Sequence, residues 1–171
     1  MTSEFTWRQS SDSQYEVLDG DTVVATLTRH GASGTRATGE TPRGSVTLRR
    51  TGAFRTRVTV TNSDDVEIAS VAKDGKSEAV QVAEGGSFVW AAQADPKGSR
   101  AFVGANGAPV LTFTPAGGDS KAHGTVVIAD STLSEPETDA LMVLGLFLLA
   151  IKQSDDDATI IGSLAAVIAV T

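Results

Sequence analysis

Residues 140–151 read Ala-Leu-Met-Val-Leu-Gly-Leu-Phe-Leu-Leu-Ala-Ile, twelve positions without a polar side chain. A helix apolar on every side must be enclosed, either by protein or by lipid. At about 1.5 Å per residue this one reaches only about 18 Å, well short of the ~30 Å hydrocarbon core of a bilayer. Enclosure by the rest of the chain is the expectation. Almost everything before residue 130 reads as short strands, so the enclosing structure is predicted to be a sheet closed around the helix.

The helix opens with its own signals. Ser134-Glu-Pro-Glu137 has the spacing of a capping box, with Pro136 in the first turn where its missing N–H costs nothing. Glu135, Glu137 and Asp139 suit the positive end of the helix dipole, and read as capping charges rather than a general acid/base pair. Gly145 costs about 1 kcal/mol against Ala in mid-helix, which predicts close approach by a strand or side chain there. Lys152-Gln153 is expected to end the helix, at about 134–152. Asp155–Asp157 is read as a polar turn, since it lacks the ligand spacing of a calcium loop. The second apolar run, 158–170, fits helix by length and strand by its Ile and Val content. The expected division is therefore a barrel with central helix over 1–152, followed by 153–171 as an appended segment.

Upstream, alternation of apolar and polar residues recurs between turn signals. Asp19-Gly20, Asp74-Gly75 and Asn106-Gly107 each join two such runs as hairpins. Val46 and Leu48 are predicted to point inward with Thr47 and Arg49 outward, and Phe54, Thr56, Val58 and Val60 lie opposite Arg55, Arg57 and Thr59. Residues 30–44, rich in Gly, Ser and Thr, read as a loop holding at most a weak strand. The count is eleven or twelve strands. The fold class is mainly β: a closed antiparallel barrel of about 12 strands enclosing a hydrophobic C-terminal α-helix.

Composition narrows function by exclusion. The chain of 171 residues has no Cys, which removes disulfides, thiolate zinc sites and Cys nucleophiles. Its net charge of −7 opposes non-specific binding to nucleic acid or anionic lipid. Charge is uneven, however: between Arg29 and Arg57 seven arginines face one acid, making +6, and the remainder sets seven bases against twenty acids, making −13. The ordinary reading of such arginines is a solvated strand face that keeps edges soluble. The functional reading is an anion or headgroup site, with Arg43, Arg49, Arg50, Arg55 and Arg57 as candidates. His30 and His123, each beside a Gly, sit in no triad motif and read as exposed loop residues. Trp7 and Trp90 read as packing residues. No catalytic residue, metal ligand or cofactor is assigned.

The Asp19-Gly20 hairpin after Tyr15, the Trp90 strand, the Asn106-Gly107 hairpin before Val110-Leu-Thr-Phe113, and the helix over Glu137–Ile151 together resemble the tubby C-terminal-like superfamily, which includes the LURP-one-related proteins and phospholipid scramblases. The resemblance covers the chain to Lys152, although the Cys-rich segment of scramblases is missing. It implies a barrel of about twelve strands around the helix. It also implies a binding module, peripheral at membranes, with phosphoinositide or other phospholipid headgroups or a protein as partner; the missing catalytic motif and leader add the expectation that it is non-enzymatic and cytoplasmic. The alternative is a membrane-anchored protein inserting 140–170 as a hairpin, opposed by the cost of three Asp at its turn. An enzyme with an unrecognised site is the remote alternative. A leader peptide is not expected from Met-Thr-Ser-Glu-Phe-Thr-Trp.

Overall fold

The computed structural model describes residues 2–31, 35–52, 56–74, 77–83, 85–94, 97–117, 122–129 and 133–170, with the side chains of Asp74, Ser77 and 154–170 outside the described set. Twelve strands follow one another in a meander. They are β1 (Ser3–Ser11), β2 (Gln14–Asp19), β3 (Thr22–His30), β4 (Arg36–Thr41), β5 (Gly44–Thr51), β6 (Arg57–Asn62), β7 (Glu67–Asp74), β8 (Ser77–Val82), β9 (Ser87–Ala92), β10 (Arg100–Val103), β11 (Pro109–Pro115) and β12 (His123–Ile128). Each pairs antiparallel with its sequence neighbours, and β1 pairs with β12, so the barrel closes and no sheet edge is left open. The predicted architecture is the observed one.

Every strand turns apolar residues inward. Val17, Leu27, Leu48, Val60, Val80, Phe102, Leu111 and Val126 are fully buried and belong to one core. A twelve-stranded barrel encloses more space than strand side chains alone fill, and the first part of α1 (Glu135–Val170), through about Ile151, occupies it. Leu141, Val143, Leu144, Leu146, Phe147 and Ala150 have no accessible surface. The predicted capping box is present: Glu137 N–H donates to Ser134 Oγ at 3.3 Å, and Ser134 N–H donates to Glu137 Oε1 at 3.3 Å. The other carboxylate oxygen, Oε2, accepts Gly86 N–H at 3.2 Å, tying the helix start to the loop before β9.

Two glycines set how deeply the helix seats. A Cβ at Gly145 would overlap the ring of Phe113 on β11, which is the close approach expected at that position. A Cβ at Gly39 on β4 would stand 2.9 Å from Val46 Cγ2 and 3.2 Å from Val143 Cγ1. The Val143 side chain thus rests directly on the strand backbone there.

Two expectations are corrected. Residues 36–41 form a full strand where a loop with room for a weak strand was expected. Its inward positions are Ala37 and Gly39, small because the helix lies against them, and small residues weaken the alternation that announces a strand. The helix does not end at Lys152-Gln153. Its backbone continues to Val170, so 155–157 is helical rather than a turn, and the open choice for 158–170 resolves as helix. Physically, Ser and Asp are modest helix formers but not breakers, and no Pro or Gly stands between Gln153 and Ile161 to stop it. Among the described residues no helix is long and apolar enough to cross a membrane.

Candidate functional site at the barrel mouth

In a meander, alternate turns lie at opposite ends of the barrel. The ends of β5, β7 and β9 and the starts of β6, β8 and β10 therefore share one rim, the rim where α1 leaves the lumen. Side chains alternate strictly along a strand, so the inward rows of the core continue to this rim. Beyond Val46 and Leu48 the row reaches Arg50; beyond Ala69 and Val71 it reaches Lys73; before Val80 it holds Glu78, and before Phe102 it holds Arg100. The apolar rows thus finish in charged residues.

They enclose a cavity of about 290 Å³. Arg50, Lys73, Arg100 and Lys152 of α1 supply four cations, against the single acid Glu78. The apolar lining is Val58, Val71, Trp90, Leu148 and Ile151. The Arg100 guanidinium carbon lies 5.4 Å from the Trp90 ring centroid, within cation–π range. Trp90 is itself clamped by Phe102 at 4.6 Å and Phe113 at 5.9 Å between centroids. Arg100 is therefore held on a rigid aromatic base. Its Nε is buried and has no acceptor among the described residues, as is also true of Arg29 Nε, whose residue continues the inward row of Ala25 and Leu27. A second cavity of about 310 Å³ lies beside Leu149, with Trp7, Tyr15 and Pro115 on its strand side, and shares Arg100 and Lys152 with the first. There the Tyr15 hydroxyl donates to Gln153 Oε1 at 3.0 Å.

The arginines expected to form one face are dispersed. Arg43 lies in the β4–β5 turn at the opposite mouth, where it meets Glu135 at 2.8 Å and Asp139 at 3.7 Å. Arg49 is exposed on the outer wall. Arg57 is also outside, paired with Glu67 at 3.1 Å. Arg55 lies outside the described residues. Of the four that are described, Arg50 alone lines the cavity. The expectation missed Lys73, Arg100 and Lys152; the signal that finds Lys73 is strand parity, since it sits two residues beyond the inward Val71.

His30 and His123 are not in loops: they are the last residue of β3 and the first of β12, and His30 Nε2 lies 2.8 Å from Thr38 Oγ1 at an exposed position. Trp7 and Trp90 are buried packing residues, as expected. Among the described residues no cluster of His, Asp and Glu is placed to hold a metal ion.

At the opposite mouth, burial raises the Asp139 carboxyl above its ordinary range; Arg43 lowers it and Glu135 raises it further. The folded state therefore binds the proton more tightly than the unfolded chain, and stability contributed by this group falls as pH rises through the interval between the two pKa values. Asp139→Asn is expected to match or exceed the wild type in stability at pH 7, because it removes a partly buried charge. The difference should shrink as pH drops into the acid range, as measured by urea unfolding across a pH series. A clear loss of stability at pH 7 would show that the Arg43 pair outweighs the burial cost.

No protein-family model, curated protein or solved structure matches the chain.

Proposed function

We propose that the chain is a non-enzymatic binding barrel of the tubby-like, LURP-one-related type, and that its ligand presents an anionic group to the mouth where α1 leaves the lumen. The supporting observation is the concentration of Arg50, Lys73, Arg100 and Lys152 around one cavity with a single acid, in a protein whose net charge is −7. Such a rim attracts phosphate or carboxylate, and a recess focuses the field more strongly than an open surface does. The apolar lining and the fixed Arg100–Trp90 stack supply contact and orientation, which are the requirements of binding. The proposed setting is intracellular, with a phospholipid headgroup presented at a membrane surface as one source of the anion and a soluble phosphate ester as the other. Peripheral contact is favoured over insertion because no described helix is long and apolar enough to cross a bilayer.

Vesicle sedimentation and titration with a soluble inositol phosphate test this together. Binding should rise with phosphoinositide content and weaken between low and high salt. Reversal at the rim, Arg50→Glu with Lys73→Glu, should reduce affinity by about tenfold or more, taking about 1 kcal/mol per basic residue near an anionic surface. Arg49→Glu with Arg57→Glu, on the outer wall, should change it by less than about threefold. Equal binding to neutral vesicles, or a larger effect of the outer pair, would overturn the proposal.

A further inference from the structure

We infer that the mouth takes an amphiphile: an oxyanion held at the rim by Arg100, Lys73, Arg50 and Lys152, with a single short apolar chain directed down into the barrel against Val58, Val71, Leu148 and Ile151. This rests on the anion-binding reading above and specifies the class of ligand.

Three features of the cavity lead there. First, the charged and apolar linings are layered. Arg50 and Lys73 each stand two residues beyond a buried inward residue, Leu48 and Val71, and two residues of strand span about 7 Å. The head of a ligand resting on the cations therefore has apolar wall directly beneath it. Val71 and Val58 are 4% and 3% exposed, so this lining belongs to the packed core, which limits how far a chain can descend. Secondly, the cations come from β5, β7, β10 and α1, and so converge on one point from different sides of the rim. Thirdly, about 290 Å³ is at the small end of ligand pockets, room for one short chain. Trp90, buried beside Arg100, borders both parts of the site and reports on what fills it.

The test uses the full chain and a series of phosphate monoesters (methyl, butyl, octyl) below their micelle-forming concentrations, with inorganic phosphate and octanol as head-only and tail-only controls. Binding is read by calorimetry and by Trp90 fluorescence in a Trp7→Phe background. Affinity is expected to climb by about fourfold for each methylene buried, and to level off before octyl because the packed core stops the chain. Butyl phosphate, but not inorganic phosphate, should shift Trp90 emission. Arg100→Gln should weaken every ester by a similar factor and leave the chain-length slope intact. Leu148→Phe on α1 and Thr56→Leu just before β6, both in the cavity lining, should flatten the slope, weakening butyl and octyl phosphate more than inorganic phosphate. Two variants on separate elements guard against loss of fold in either one, and near-ultraviolet circular dichroism identifies such a loss.

If inorganic phosphate binds as tightly as the butyl ester, the amphiphile is overturned and the anion site stands. If affinity keeps rising through octyl without levelling, the chain is outside the cavity and the inference fails. If phosphate and all esters fail to bind, both readings fall. Vesicles carrying a diacyl phosphate lipid distinguish the source: binding to them stronger than to the monomeric esters would place the ligand in a bilayer and exclude the single-chain class.

Discussion

Phe147→Ala is expected to remove about 3–5 kcal/mol of stability, a large fraction of the 5–15 kcal/mol that holds a typical domain folded. Phe147 has no accessible surface and lies on the part of α1 enclosed by the strands. Replacement by Ala leaves a void that twelve hydrogen-bonded strands cannot collapse to fill without breaking ladder pairs. The control is Val89→Ala on β9, 41% exposed on the outer wall. It should change stability by no more than about 0.5 kcal/mol. Both are measured by urea unfolding with fluorescence and circular dichroism, whose transitions should coincide because helix and barrel share one core. A loss below about 1 kcal/mol for Phe147→Ala would mean that the helix does not organise the interior.

The same enclosure explains which features were legible in the amino-acid order. The helix, its Ser134–Glu137 cap and its closed sheet could be read because each depends on local pattern: an unbroken apolar run, a four-residue box, alternation between turns. Gly145 could be read as a contact because a helix interior has no other use for glycine. Residues 36–41 could not, since what makes them a strand is the helix beside Ala37 and Gly39, a long-range fact with no local signature. The arginine face failed for a different reason. Arg49 and Arg50 are adjacent in one strand, and adjacent strand residues point to opposite sides of the sheet. Grouping them by closeness in sequence conflicted with the parity already assigned to Val46 and Leu48. Lys73, Arg100 and Lys152 come together only through barrel closure around the helix, across eighty residues of chain, and no local window contains them.

Gly145→Ala is expected to destabilise the protein although it places the best helix former where the poorest ordinary one stands. The gain in propensity is about 1 kcal/mol. Against it, the new methyl would occupy space held by the Phe113 ring. That ring has little room to retreat: Phe113 is fully buried and already in edge contact with Trp90, at 5.9 Å between centroids. Forced overpacking of this kind costs about 1–3 kcal/mol, so the balance falls to the side of loss. A sharper expectation concerns the pair. In a Phe113→Leu background the obstructing ring edge is gone, and Gly145→Ala should then be neutral or stabilising, as helix propensity alone requires. A double-mutant cycle should therefore give a coupling of about 1–3 kcal/mol. Additive effects would mean that the helix and β11 do not meet at this point. If Gly145→Ala stabilises the wild-type background, the seat of the helix in the barrel is looser than the packing of Phe113 against it allows.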